Sequence, residues 1–491
     1  MSEGKRVACL LTLAGLVVRL IGLGQHSFWF DEGLEINRAC TPWPDLILLS
    51  EGPDPPVYRL LLAPFTPFAP SEFVLRLPSA VLGAAAVYLL YRWLALLKQA
   101  RLGIIAAALM AIAPVSIYYS QEASQYSLVV FLSIALLIAF EKAALSGTGR
   151  DWLHLWLVSM AALYTHYGLA YMFPVLELNL AWQTWRQRSK QRLIGFAGYH
   201  VGLLIGLALL YHFFIVTQYD WMKRISLQPR FAQMGWLDII RAFDDNLFDV
   251  FLRFQTIPYS EAAPSLIPAF LGLLALLGAV VICWRLPKVR RLVLVPAVIL
   301  IAFYIASGLG YYRFGMRYGL PLLPFLLLFI AATIWELAWR WQLGASVVAG
   351  LVVATFLAFW PNMRLLPNPW LNLPREELRP VVAYVHQQAQ PGDFIYVYYG
   401  AVPAYQVYQP ELTYPTELGT WFRDWPLVEK LSEICQAVGD APRFWLVMSH
   451  IHPSEDPALI DGLTEATPSY HLVDEYRTKG AATVLLQRDE P

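Results

Sequence analysis

Charge is what this sequence has least of. Only 15% of its 491 residues are Asp, Glu, Lys or Arg, where a soluble globular chain carries about a quarter. The 36 basic and 36 acidic residues cancel, so no net field points to nucleic acid or to an acidic partner. Cysteine is also scarce. Cys9, Cys40, Cys283 and Cys435 form no CxxC pair and no other metal-ligand spacing, so no cysteine-based metal site is legible. There is no internal repeat, no low-complexity tract and no glycine-rich phosphate loop. The missing P-loop argues against an ATP-driven pump.

What fills the chain instead is apolar. Hydrophobic residues make up 57% and there are 18 tryptophans. They lie in long runs separated by short basic segments, the pattern of a polytopic α-helical membrane protein. The opening "MSEGKR" followed by an apolar run from Val7 to Leu23 resembles a signal peptide. No A-x-A pattern follows and the run is long enough to span, so an uncleaved first helix is expected.

A span needs about 20 apolar residues. The runs that qualify are 7–24, 73–97, 102–119, 126–145, 152–165, 168–184, 193–217, 264–284, 292–310, 318–338 and 343–360, about 11 transmembrane helices. Residues 152–184 could be one long tilted helix or two short ones. With two, the basic clusters Lys5–Arg6, Lys98/Arg101, Lys142/Arg150, Arg186–Arg192, Arg285–Arg291 and Arg340 share one face. The positive-inside rule then sets an N-in/C-out topology.

The outer face would hold a first loop (25–72) with short interfacial helices, the loop "YYSQEASQY", a long loop (218–263) and everything after Trp360. Residues 1–360 are thus expected to form the membrane domain, and 361–491 a small soluble α/β domain. In that tail "PREELRPVVAYVHQQAQPGDFIYVYY" reads as helix, turn and strand. "PLVEKLSEICQAV" reads as a helix, and "APRFWLVMSH" and "AATVLLQR" as strands. Cys9 and Cys283 fall in apolar runs and are expected in the core. Cys40 and Cys435 share the outer side, which permits a disulfide.

Polar groups beside membrane helices are costly and so draw attention. Asp31 and Glu32 follow Phe28, Trp29 and Phe30 directly after the first span. They are either solvated acids past a helix end or partly desolvated carboxylates with the raised basicity a general base needs. Asp54 and Tyr58 sit in "PDPPVYRLLL", where two prolines stiffen the backbone; a capping turn is the simpler alternative. Glu122, ahead of Tyr126 in "YYSQEASQYS", either serves the next helix terminus or faces a cavity. His166 in "LYTHYG" marks a break between two short helices. Arg313 and Arg317 in "YYRFGMRYGLPLLP" run against the positive-inside bias. They are either interfacial anchors among tyrosines or bidentate partners for a phosphate.

"FWFDEG", "PPVYRLLL", "YYSQEASQYSL", "YTHYGL" and "RYGLPLLPFLLL" occur in the order seen in GT-C fold glycosyltransferases. The sequence most resembles the bacterial family 39/PMT-like group, related to protein mannosyltransferases and lipid A aminoarabinose transferases, over roughly 1–340. The resemblance implies a GT-C-like fold and an inverting glycosyltransferase. A sugar (hexosyl or pentosyl) would pass from a polyprenyl-phosphate donor to a protein, lipid or glycan acceptor, outside a bacterial inner membrane. It implies Asp31 as base, with Glu32 assisting or orienting the acceptor. Arg317, then Arg313, would stabilise the leaving phosphate, and Asp54, Tyr58, Glu122, Tyr126 and His166 would bind substrate. No cofactor is implied with certainty. A divalent metal stays open, although no ligand cluster is legible.

Two positions depart from the family pattern. Asp54 stands before the prolines where His is usual, and Ser124 stands where an E-A-R motif has arginine. The first alters acceptor or metal contacts, and the second leaves phosphate binding to Arg313 and Arg317. Two other classes compete, a lipid or polysaccharide transporter and a non-catalytic membrane scaffold. A transporter would place charges along the middle of its helices, whereas the polar groups here fall at the outer ends.

Overall fold

In hydrocarbon a backbone must satisfy its own hydrogen bonds, so long apolar runs become helices. The computed structural model describes residues 2–48, 54–187, 189–218, 234–235, 237–239, 241, 266–287, 289–311, 316–359, 376–409, 411, 413–420, 426–451, 455–467 and 469–489. Among these, six helices are long and apolar enough to cross a membrane: Glu72–Leu96, Tyr126–Leu145, Lys190–Gln218, Leu266–Arg285, Arg291–Gly308 and Arg317–Arg340. A seventh crossing arises if Ala100–Ile112 and Pro114–Ser120, bent by 57°, count as one. This is an integral membrane protein. Helix Glu3–Leu20 carries Glu3, Lys5, Arg6 and Arg19. Helices Gly149–Leu163, Phe173–Gln187 and Gln342–Ala358, of 15, 15 and 17 residues, are shorter than those six.

The chain gathers into two compact units. The first comprises Met1–Ile21, Trp43–Leu61 and Leu77–Leu373. Its centre is formed by Tyr126–Leu145 and Arg317–Arg340, both mostly buried, whereas Lys190–Gln218 is mostly exposed. Leu193, Ile194, Val201 and Leu204 on that exposed helix suit a hydrocarbon surroundings. Cys9 and Cys283 correct the expectation of core cysteines, since both are exposed. An apolar run in a membrane helix has a lipid face as well as a protein face, and sequence does not separate the two. Gly278 allows a close helix crossing: a Cβ there would lie 1.7 Å from the Phe329 carbonyl oxygen.

The 57° bend has a local cause. Pro114 begins its short helix and cannot donate to the preceding turn. The buried guanidinium of Arg19 supplies donors at that break. Nη1 reaches the Ala111 carbonyl at 3.1 Å, Nη2 the Met110 carbonyl at 3.1 Å, and Nη2 also Ser116 Oγ at 2.7 Å. Residues 152–184 are likewise interrupted. The Gly149–Leu163 helix ends before His166, a 3₁₀ turn covers Tyr167–Met172, and a new helix starts at Phe173.

The second unit comprises Gly22–Pro42, Leu62–Arg76 and Pro374–Pro491, so it draws in two stretches of chain that precede residue 77. Its sheet has strands β1 (Phe394–Val397), β2 (Thr416–Leu418), β3 (Arg443–Ser449), β4 (Tyr470–Thr478) and β5 (Ala481–Arg488), in the order β2-β1-β3-β5-β4. β1 pairs in parallel with β2 and β3, and β5 runs antiparallel to β3 and β4. β3 and β5 are buried almost throughout, as strands covered on both faces must be. Helices Leu427–Val438 and Glu455–Ala466 bury Ile434, Leu459 and Leu463 against Tyr396, Phe444, Leu446, Val484 and Leu486. On helix Leu378–Gln388, Tyr384 lies edge-on to Trp445 at 6.2 Å. The helices and strands read from the tail are thus present. β2, β4 and the helices Val402–Tyr408 and Glu455–Ala466 are additional.

Candidate functional site

The candidate residues divide between the two units. In the second unit the acid pair opens helix Phe30–Ala39, with Asp31 and Glu32 at its second and third positions. Acids there are favoured by the helix dipole, and Glu32 Oε2 lies 3.4 Å from the Trp29 backbone N–H. Successive helical residues point about 100° apart, so the two carboxylates take different environments. Glu32 is fully buried and Asp31 half-buried.

Glu32 is held by Arg76. Nε donates to Oε1 and Nη2 to Oε2, each at 2.7 Å. The same guanidinium donates to the carbonyls of Leu23, His26 and Ser27 at 3.0, 2.9 and 2.9 Å. All five of its N–H groups are therefore used, fixing the 23–27 backbone and the helix start together. Phe28 N–H donates to Tyr408 Oη at 2.6 Å, and Tyr408 donates to Glu72 Oε1 at 2.8 Å. Burial, with Glu72 nearby, pushes the Tyr408 phenol up.

Two consecutive carboxylates hold histidines in this unit. Glu377 lies 2.5 Å from His26 Nδ1 and accepts from Ser27 N and Oγ at 3.2 and 3.0 Å. Burial alone would raise its carboxyl. The His26 hydrogen bond, the Ser27 backbone N–H, the His26 charge and the Ser27 hydroxyl outweigh that and hold it at about 2. Glu376 lies 2.6 Å from His450 Nδ1 and accepts from Ser449 Oγ at 2.9 Å.

In the first unit a chain of contacts joins Tyr58 to Glu122. Tyr58 Oη meets Ser79 Oγ at 3.0 Å, Ser79 Oγ donates to the Ser124 carbonyl at 3.2 Å, and Ser124 Oγ donates to Glu122 Oε2 at 3.4 Å. Residues 120–125 are all buried. The next residue, Tyr126, presents its ring to Arg317, whose Cζ lies 5.1 Å from the centroid. A cation over an aromatic face is attracted by the negative face of the ring. Tyr126 also lies edge-on to His166 at 6.3 Å, and His166 stacks on Tyr318 at 5.8 Å. His166 Nδ1 accepts the Gly168 N–H at 3.1 Å, which puts the proton of a neutral ring on Nε2. Tyr126, His166 and Arg317 are thus brought together, and Glu122, four residues before Tyr126, is linked to Tyr58 through two serines.

Asp54 lies with a different set. Its carbonyl accepts from Arg59 Nη2 at 3.0 Å and Gln218 Nε2 at 3.3 Å, and Tyr167 donates to Gln218 Oε1 at 2.6 Å. An apolar cavity of about 490 Å³ opens between Pro56, Val57 and Leu60 on one side and Trp156, Gly202 and Gly206 on another. Arg313 lies outside the described residues. Among the described residues no three His, Cys, Asp or Glu side chains are grouped to hold a metal. Cys40 and Cys435 are not bridged.

Sequence reasoning passed over Arg76, Arg59 and the pair Glu376–Glu377. Arg76 carried a usable signal, a guanidinium inside the apolar run that begins at residue 73. The carboxylate–histidine pairs span 351 and 74 residues, and no local pattern announces them.

With its helical membrane unit and its small mixed sheet, this chain resembles solved GT-C fold glycosyltransferases. Apo ArnT from Cupriavidus metallidurans superposes with TM-score 0.59 at 14% identity, covering 99% of this chain and 98% of that one. ArnT bound to undecaprenyl phosphate gives 0.57 at 14% identity, with 97% of each chain covered. The Archaeoglobus fulgidus oligosaccharyltransferase, in complex with Zn and sulfate, gives 0.51 at 12% identity, covering 97% of this chain and 72% of that one. The chain covers 34% of its match in the Saccharomyces cerevisiae protein O-mannosyltransferase Pmt1–Pmt2 complex, with 44% of itself included, at 19% identity and TM-score 0.37. In sequence, the dolichyl-phosphate-mannose-protein mannosyltransferase family model matches residues 53–214. No curated protein matches the sequence significantly.

Proposed function

We propose that this protein is an inverting glycosyltransferase that moves a sugar from a polyprenyl-phosphate donor to an acceptor outside a bacterial inner membrane. The observation that carries this reading is the cluster inside the family-matched region. Residues 53–214 contain Tyr58, Glu122, Tyr126 and His166, and Arg317 is held on the Tyr126 ring. In a low-dielectric setting a retained cation and an imidazole N–H suit the charge that develops on a departing lipid phosphate. The likeness to ArnT solved with undecaprenyl phosphate runs through 97% of both chains and supports the same class of donor. The apolar cavity beside Pro56 and Gly206 suits the isoprenoid tail.

Asp31 is the base in this reading and takes the acceptor proton. Glu32, whose carboxylate is held by Arg76, positions the helix start. Inversion requires one base and one cationic cradle for the leaving group, and an activated donor removes the need for ATP. Eleven crossings, an N-in/C-out orientation, a membrane domain over 1–360 and an outer domain over 361–491 complete the proposal.

The test combines mass spectrometry of co-purifying lipid with the Asp31→Asn variant. A retained polyprenyl phosphate is expected. Asp31→Asn should lower transfer by about 10²–10⁴-fold with donor binding kept. Wild-type transfer by that variant refutes the assignment.

A further inference from the structure

The sheet of the second unit has a topological switch point. From β1 the chain passes through helix Val402–Tyr408 to β2 on one side, while β3 lies on the other side of β1. After β3 it leaves through helix Glu455–Ala466 for the far edge. Where connections part at the carboxyl ends of neighbouring parallel strands, open α/β sheets keep a ligand crevice. Here those ends carry Gly400 after β1 and His450 after β3. A Cβ on Gly400 would stand 2.4 Å from the Ser449 carbonyl oxygen.

At the end of β3 the chain meets the start of the helix that carries Asp31. His450 has a left-handed backbone, φ 56°, which costs energy in a non-glycine residue and persists only where its surroundings hold it. Glu376 holds its Nδ1. Its ring stacks on Phe30 with centroids 4.8 Å apart and planes 16° from parallel, and lies 6.3 Å from the Trp29 ring. Phe30 is the first residue of the helix that carries Asp31. One turn on, Gly33 packs so closely on Pro403 that a Cβ would meet its carbonyl carbon at 2.4 Å. Asn37 Nδ2 donates to the Pro403 carbonyl at 2.9 Å.

We propose that His450, oriented by Glu376, is a positioning residue for Asp31, and that the switch-point crevice serves as the socket for the helix start at Trp29–Phe30. The proposal rests on the reading of Asp31 as the base. The stacked imidazole acts through Phe30 and sets where the neighbouring carboxylate stands. It has no part in proton transfer.

Two variants separate the stack from the backbone strain. His450→Asn tolerates the left-handed conformation but removes the ring, whereas His450→Phe keeps an aromatic face. His450→Asn is expected to lower kcat about tenfold or more, since small displacements of catalytic groups carry such losses, with donor KM within about twofold. His450→Phe should recover most of that loss. Hydrogen exchange of peptides spanning 28–36 in the intact protein should speed up in His450→Asn and return towards wild type in His450→Phe. Wild-type kcat and exchange in His450→Asn overturn the proposal, as does a His450→Phe as impaired as His450→Asn in both readouts. If Asp31→Asn transfers normally, the functional reading fails and with it the positioning of a base. The exchange data then decide the socket by themselves.

Discussion

Arg76 and Glu32, 44 residues apart in sequence, form a fully buried, two-pronged ion pair with both N–O distances at 2.7 Å. Guanidinium and carboxylate planes match in this geometry. Breaking a buried pair from one side leaves a desolvated charge, which costs about 3–5 kcal/mol. Glu32→Gln should therefore lower thermal stability measurably. Arg76→Met should lower it further, because the Leu23, His26 and Ser27 carbonyls also lose their donor. Equal melting shifts for the two variants would show that the carbonyl contacts contribute nothing.

A second expectation concerns acid. The Glu377 carboxyl is held at about 2, below its ordinary value of 4.5. A group depressed in the folded state contributes stability above its unfolded value and loses it as pH falls through the folded one. The stability difference between wild type and Glu377→Gln should thus be largest above pH 4.5 and shrink between 4.5 and 2. Melting temperatures across that range check the sign, and a constant difference contradicts it.

Arg317 should matter for its charge and its seat. Arg317→Ala is expected to raise donor KM about tenfold or more, the scale of a lost charged hydrogen bond. Tyr126→Phe keeps the ring face under the guanidinium and should be tolerated, whereas Tyr126→Leu removes it and should resemble Arg317→Ala. Donor-dependence measurements on the three variants distinguish a seated cation from a surface charge.

Close helix packing gives a further test. Gly278→Ala must displace helix Leu266–Arg285 from the Phe329 backbone and should cost about 1–3 kcal/mol. Gly350→Ala, with nothing within 4 Å of the added carbon, should be neutral. Thermal aggregation in detergent compares the pair directly.

Membrane class and the tail's main elements were legible in composition and pattern, because burial in lipid forces long apolar runs and strands covered on both faces read as short apolar ones. The break at His166 was legible for the same reason: a polar, glycine-containing stretch interrupts two apolar ones. Which face of each helix meets lipid was not legible, as Cys9 and Cys283 show. Nor could local pattern assign Glu32 to Arg76, Arg19 to the kink at Pro114, or Glu376 and Glu377 to two histidines. Those partnerships join segments tens to hundreds of residues apart. They exist only once the chain has folded, when a desolvated charge must take whichever donor or acceptor its buried surroundings provide.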